Sequence, residues 1–388
     1  MRFSIGRLLL SALTLIGFFI LSSCTVPIQR KESTMTECTH YGEFDVRTFG
    51  AAGDGVADDT AAFRAAIAEA AKCEGTVLVP PGRYLVRELQ LAPRIELRGV
   101  ANFNYRRSAG SVLQLHPEAK DAKCLLNLTG AYGCHVRGIC LVGQGAGHQA
   151  QGPVHGILID KPDYGKEEDT PCIDTCRVER FSGDGIRLNR IWCFSVRHSH
   201  CIGNGGSGIR IRGWDGFILD NWLSGNNGAG YYACEENASV TMTGNRIEWN
   251  AQGGIRISGA NKYNITGNYI DRSGNCAIDI QNSRDFTITG NVLYRSGRPE
   301  WTENPENSCH FRMLNCTGVT FTGNNLSAGR DDGGKGQLSP RTGILIGKAE
   351  NCVVSLNTLN SCALEKMVIL KDQQTNCVIR DNPGSLQK

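Results

Sequence analysis

A short phrase recurs through the middle of the chain at intervals of 22 to 24 residues: GIRLNR from Gly185, GIRIRG from Gly208, GYYACE from Gly230, GIRISG from Gly254 and AIDIQN from Ala277. A second marker keeps step with it. Asn221, Asn245, Asn268 and Asn291 are each followed two residues later by Leu or Ile. A repeat of this length describes a solenoid, in which each unit buries its apolar face only against its neighbours. Within the phrase, Ile209 and Ile211 alternate with Arg210, a strand period. Phe286 and Ile288, then Gly290-Asn291, then Leu293 describe a second strand, a tight corner and a third strand. Asn and Gly accept the left-handed backbone of such a corner, and stacked Asn amides can bond one another up the ladder. The expected fold is therefore all-β: a parallel β-helix of three-stranded coils. Leucine-rich repeats share the period, but their leucine spacing and helical leg are absent.

The N-terminus reads differently. Arg2 and Arg7 precede an apolar run from Leu8 to Leu21, followed by Ser22-Ser23-Cys24. The run is short for a membrane span and suits a signal peptide over residues 1–23. Leu-Ser-Ser-Cys resembles a bacterial lipobox, which implies cleavage before Cys24, a lipid on its thiol and an exported protein held at the cell envelope. Residues 24–43 are polar and irregular, as a tether would be, and residues 44–388 are expected to form the β-helix domain. Removing Arg2 and Arg7 takes the formal charge from +3 to +1, without the clustered basic footprint of a nucleic-acid binder. Of 17 cysteines, Cys134, Cys352 and Cys377 fall where Phe286 stands in its repeat and are expected to stack inward as small hydrophobes. An exported protein can form disulfides, and Cys172 with Cys176 is the local candidate. No Cys/His spacing suggests a metal centre.

Residues 44–86 carry FDVRTFGAAGDGVADDTAAFRAAIAEAAKCEGTVLVPPGRYLV. Asp58 or Asp59 can cap a helix that runs to about Cys73, with Gly75 beyond its end. Phe63, Ala66, Ile67 and Ala70 form its apolar face. Such a helix would cover the open end of the stack and its unpaired first rung. Phe49-Gly50-Ala51, Gly53-Asp54-Gly55, Asp58-Asp59-Thr60 and Pro80-Pro81-Gly82-Arg83-Tyr84 resemble the start of the pectate lyase superfamily, which includes polygalacturonases and tailspike-type proteins. The resemblance implies a right-handed parallel β-helix and a saccharide ligand, and leaves the chemistry open.

The outward column of the first strands reads Arg187, Arg210, Tyr232, Arg256, Asp279. The turn that follows carries Trp192, Trp214, Asp215, Glu235 and Glu236, and the end of the third strand carries Glu248, Trp249, Asp271 and Arg272. A basic and aromatic floor with carboxylates along its rims is expected. All five tryptophans lie between residues 192 and 301, which suits flat apolar faces for sugar rings. Insertions near 160–172, 297–309 and 329–342 would overhang the same face, two of them bringing acidic residues, Glu167 to Asp169 and Glu300 with Glu303. Glycoside hydrolysis needs two carboxyl groups. Glu248 and Asp271 stand at equivalent positions on adjacent coils, about 4.8 Å apart, near the separation a retaining enzyme uses. Glu236 facing Glu248 is the wider alternative. Substrate contacts are expected from Arg187, Arg210, Trp214, Tyr232, Glu235, Trp249, Arg256 and Asp279.

The sequence departs from polygalacturonases: Asp184 precedes one first strand, but Ser207, Ala229 and Gly253 follow at the equivalent positions. The leading expectation is a surface glycoside hydrolase acting on an acidic polysaccharide and needing no cofactor. A polysaccharide lyase is the alternative, with Arg210, Arg256 and Arg312 as cations and calcium held by Glu235, Glu236 and Asp279. A non-catalytic carbohydrate-binding adhesin on the same scaffold is the third.

Overall fold

Alternation of buried aliphatic and outward polar residues produces the strands. In Ile209–Leu219, Ile209 and Ile211 are fully buried while Arg210 and Arg212 face outward. The computed structural model describes residues 42–101, 103–145, 150–298, 304–329 and 339–385. Among these, two parallel sheets form, one of 23 strands and one of 12. Each coil places its first and second strands in the larger sheet and its third in the smaller. Ile186–Arg197 runs through the first two, with a register shift between Asn189 and Ile191, and His200–Ile202 is the third. Between the sheets Ile186, Ile209, Tyr231, Ile255 and Ile278 stack in register, all fully buried. The parallel β-helix expected from the repeats is what the chain forms.

The two sequence markers have separate physical causes. A Cβ on Gly208 would lie 2.8 Å from the Gly230 carbonyl oxygen of the next coil. Any Cβ would collide there, which is why glycine recurs at positions 185, 208, 230 and 254. The asparagines form a hydrogen-bonded ladder. Asn268 Nδ2 donates to Asn291 Oδ1 at 3.0 Å and to Met242 O at 3.0 Å, and Asn268 Oδ1 accepts from Asn245 N and Nδ2. The ladder continues through Asn324, Asn357 and Asn382. A second ladder lines the other end of the third strand, through Asn204, Asn226 and Asn250; the sequence reading missed it.

The N-terminal helix spans Thr60–Ala71, two residues shorter than expected, because Lys72, Cys73 and Gly75 turn their N–H groups back on Glu69 and Ala70 carbonyls. Its predicted apolar face is buried, with Phe63 edge-on to Tyr84 at 5.3 Å. The two aspartates divide their work. Asp58 Oδ1 accepts from Thr60 N at 3.0 Å, whereas Asp59 binds Ala52 N and Gly53 N. Gly53 has φ +64°, and a Cβ there would sit 2.7 Å from the Tyr84 ring, so the glycine and tyrosine of the motif require each other.

Cys134 and Cys352 occupy the inward column that contains Phe286, as expected, and Cys377 continues it half-buried. The local pairing is corrected: Cys172 and Cys176 are both free thiols. Cys172 lies outward on Cys172–Asp174, beside Ser195 and His135, while Cys176 is fully buried.

Two histidines give the fold an acid limit. Burial pushes the His310 imidazole down to about 3, and burial with the neighbouring Arg177 charge pushes His200 down to about 4. Both folded values lie below the unfolded value, so the unfolded chain takes up the proton first. The stability they allow is present above about pH 6.5 and is lost as pH falls through 4. Asp271, raised to about 6, acts with the opposite sign over part of that window. A falling denaturation midpoint between pH 7 and pH 4.5 is expected, with a shallower fall in His310→Gln; an identical slope in the variant would remove His310 as a cause.

Candidate functional site on the first-strand face

Strand register turns the first-strand column into a continuous outer row. Arg187, Arg210, Tyr232, Arg256, Asp279 and Arg312 are successive Cα partners. Tyr232 lies between two guanidiniums, with Arg210 4.9 Å and Arg256 5.5 Å from its ring centroid. The ring face attracts both cations and spaces them apart. Burial pushes the Tyr232 hydroxyl up, and Arg256 and Arg210 pull it partly back. The phenol is therefore protonated at neutral pH.

Each end of the row carries a charged cluster. At Arg187, Asp184 accepts Ser207 N at 2.7 Å, and its own backbone N–H donates to His155 Nδ1 at 2.8 Å. Arg187 Nη1 lies 3.5 Å from His155 Nε2. Burial holds the His155 imidazole below its ordinary value, against the pull of Asp184. At the other end Arg312 grips Asp279 through two bonds of 2.9 and 2.7 Å, both side chains being buried. Glu235 and Glu236 stand exposed in the turn beyond Tyr232. Glu236 pairs with Arg212 at 2.9 Å and lies 3.2 Å from the Tyr164 hydroxyl. Glu235, Glu236 and Asp279 are not brought together, and no group of three His, Cys, Asp or Glu converges among the described residues.

The insertion at 160–172 lies over two of the tryptophans. Tyr164 stacks on Trp214 with centroids 3.9 Å apart, and Trp192 Nε1 donates to Glu167 O at 2.8 Å. A buried Lys161–Asp169 pair of 2.7 Å anchors the segment. Trp214 is thus covered by the chain itself. Trp249 is 40% exposed at a coil corner, with Arg272 over its ring at 4.9 Å. Glu300, Trp301, Glu303 and the whole N-terminal region with Cys24 lie outside the described residues.

Residues 132–293 and 253–383 match the family model described as right handed beta helix region, and residues 44–105 match one described as rhamnogalacturonase A/epimerase, pectate lyase-like. The chain belongs to the right-handed β-helix family. The resemblance resting on Phe49 to Tyr84 is borne out with it. Among solved structures, this β-helix chain is similar to the enzymatically active domain of bacteriophage CBA120 tailspike protein 2 (TM-score 0.68, 15% identity, 82% of this chain and 48% of that one). It is also similar to a mannuronan C-5 epimerase A-module from Azotobacter vinelandii (0.64, 17%, 88% and 98%). A third is a DFA-IIIase from Arthrobacter chlorophenolicus without its lid (0.60, 15%, 88% and 97%). The chain spans about half the length of the tailspike domain it matches. Comparison with curated proteins gives no match.

Within this β-helix, Glu248 and Asp271 are register partners on adjacent coils, as their spacing implied. Their placement on a rim of the first-strand face is corrected. They belong to the smaller sheet and are 5% and 1% exposed. Glu248 accepts from Trp222 Nε1 at 3.0 Å and from Arg246 Nε at 3.0 Å, and Asp271 is paired with Arg272 and Arg295. Burial raises Asp271 to about 6, against the pull of Arg295 and with a contribution from Glu248. A loop from far upstream covers part of this sheet. Tyr105 packs on Trp222 at 4.8 Å and bonds Ser224 at 3.0 Å, and Phe103 packs on His200. Glu236, across the larger sheet, does not face Glu248. His155 is the site residue that sequence reading missed; the 160–172 insertion breaks the period that would have aligned it with Asp184.

Proposed function

We propose that this protein is an enzyme acting on an acidic polysaccharide laid along the first-strand face. The observation that carries the reading is the row Arg187, Arg210, Tyr232, Arg256, with a phenol held between two guanidiniums. Coils repeat every 4.8 Å or so, so successive sugar rings meet successive members of the row. Guanidinium forks match carboxylates. The named activities of an epimerase and of an enzymatically active tailspike domain on this fold support an enzyme over a passive binder.

The chemistry reads first as proton removal beside a uronate carboxylate. Glu235, an exposed carboxylate in the turn beyond Tyr232, would take the proton as the C–H bond breaks, while Arg210 and Arg256 would stabilise the charge that gathers on the uronate carboxylate. The protonated Tyr232 hydroxyl would give its proton to the departing glycosidic oxygen. The same intermediate can instead regain a proton from the opposite side, which is epimerisation. Hydrolysis is the second reading, favoured by the two accessible carboxylates Glu235 and Glu236 beside Arg212. A panel of acidic polysaccharides in heavy water separates these outcomes. An ultraviolet-absorbing unsaturated uronate marks elimination, new reducing ends alone mark hydrolysis, and deuterium beside the carboxylate without chain cutting marks epimerisation. Binding with none of the three would make the protein a carbohydrate-binding scaffold and overturn the reading.

The same proposal places the protein at the cell envelope, exported and held by a lipid on Cys24. Cys24→Ser should move it from the membrane fraction to the soluble exported fraction; a variant that stays in the membrane fraction refutes the anchor.

A further inference from the structure

Beyond Arg256 the first-strand face deepens into a polar cavity of about 150 Å3, bounded by Gln252, Arg256, Asn275, Asp279, Asn307 and Arg312. Its hydrogen-bonding groups are unevenly used. Arg312 is fully engaged, with Nε and Nη2 on the Asp279 carboxylate and Nη1 on Asn307 Oδ1. Gln281 Nε2 donates to the same carboxylate, so that ion pair is closed. Asn275 Nδ2 donates to Gln252 Oε1 at 3.1 Å. Both amide oxygens of Gln252 and Asn307 are thus occupied, which leaves their NH2 groups to give hydrogens to a ligand.

Two capacities remain. Arg256 has no carboxylate partner among the described residues, and its side chain is exposed at the cavity mouth. Asn275 Oδ1 is shut away from water and has no donor. An acceptor left in that state is destabilising, and a small turn of the Asn275 amide toward the cavity would let a ligand hydroxyl satisfy it. The complement of a guanidinium, two amide donors and one orphan acceptor is a molecule that carries an anion and a hydroxyl together. The guanidinium fork meets a planar carboxylate in two parallel hydrogen bonds.

We propose that this cavity is a uronate subsite: the carboxylate of one sugar ring lies against Arg256 and the amide groups of Gln252 and Asn307, while a ring hydroxyl donates to Asn275 Oδ1. The assignment rests on the reading of this face as a polysaccharide groove, and it narrows the acidic substrate to a sugar acid.

Calorimetry with short oligomers of galacturonate and of mannuronate, their methyl esters and a sulfated oligosaccharide of equal length tests it. Gln252 is exposed and Asn275 half-buried, so Gln252→Ala and Asn275→Ala leave the coil stack intact. At least one oligouronate should bind, about tenfold more weakly in each variant, as the loss of one hydrogen bond to a charged or orphaned group predicts. Esterification should abolish binding, and the sulfated oligomer should bind at least about tenfold more weakly than the uronate. Unchanged affinity in both variants, or equal affinity for the sulfated oligomer, overturns the subsite. If neither oligouronate binds but a long acidic polymer does so through Arg187 and Arg210, the subsite falls and the groove stands. If no acidic polymer binds, both fall.

Discussion

Tyr232→Phe should lower turnover by about 10²–10⁴-fold while leaving the fold unchanged, because it removes one proton donor and keeps the ring between Arg210 and Arg256. Arg256→Ala should cut turnover comparably by removing a cation from the developing carboxylate charge. Arg187→Ala, two coils from Tyr232, should raise KM more than it lowers kcat, as expected of a contact made equally in ground and transition states. The smaller sheet supplies the control. Glu248 is 5% exposed and bound to Trp222 and Arg246, so Glu248→Gln should keep most of the activity. Rates on whichever acidic polymer responds, with circular dichroism to verify folding, decide the matter. If Tyr232→Phe keeps more than about a tenth of wild-type turnover, the phenol is not the proton carrier. A dead Glu248→Gln in a folded protein would return the chemistry to the Glu248–Asp271 pair.

The largest expected effect on stability lies in the ladder. Asn268→Ala leaves the Asn245 N–H without its acceptor and removes one bond each from the Asn245 amide, which keeps Ile218 O, from Asn291 Oδ1, which keeps the residue 268 N–H, and from Met242 O. At about 1–3 kcal/mol for the stranded N–H and about 1 kcal/mol for each other bond lost, the loss should reach about 3–5 kcal/mol. Nature supplies a milder case one end up the same column, where Ser199 stands in for asparagine, its Oγ accepting Cys176 N and its N–H donating to Asn221 Oδ1. Asn268→Ser should therefore lose clearly less than Asn268→Ala. Urea midpoints measure both, and equal losses would mean that the ladder hydrogen bonds are not what the mutation removes.

These two predictions differ in how far the sequence alone leads to them. The coil stack was legible because its causes are local and repeat: glycine where the next carbonyl crowds in, asparagine at the corner, aliphatics every second residue. The outer row followed from the same register, and Arg187 through Asp279 stand as partners just as their spacing implied. What covers an outward residue was not legible. Glu248 and Asp271 look like a rim pair until Trp222 and its cover from Tyr105 are seen, and Tyr105 is more than a hundred residues upstream. Trp214 reads as a sugar platform until Tyr164 is found lying on it. The Asp279–Arg312 grip was hidden similarly: an insertion separates two residues that the register makes neighbours.

The ladder also bears on how such a protein changes over generations. Every coil in the regular stretch meets its neighbours through the same glycine, asparagine and aliphatic positions, so nothing in the stack prefers one number of coils over another. Duplicating or losing a block of 22 to 24 codons in frame would lengthen or shorten the outer row by one member, about 4.8 Å, while the remaining coils pair as before. On the proposed reading of the face, the length of glycan grasped would be open to adjustment by copy number, a coarser and quicker route than point substitution, and one that leaves the central tyrosine and its two arginines untouched.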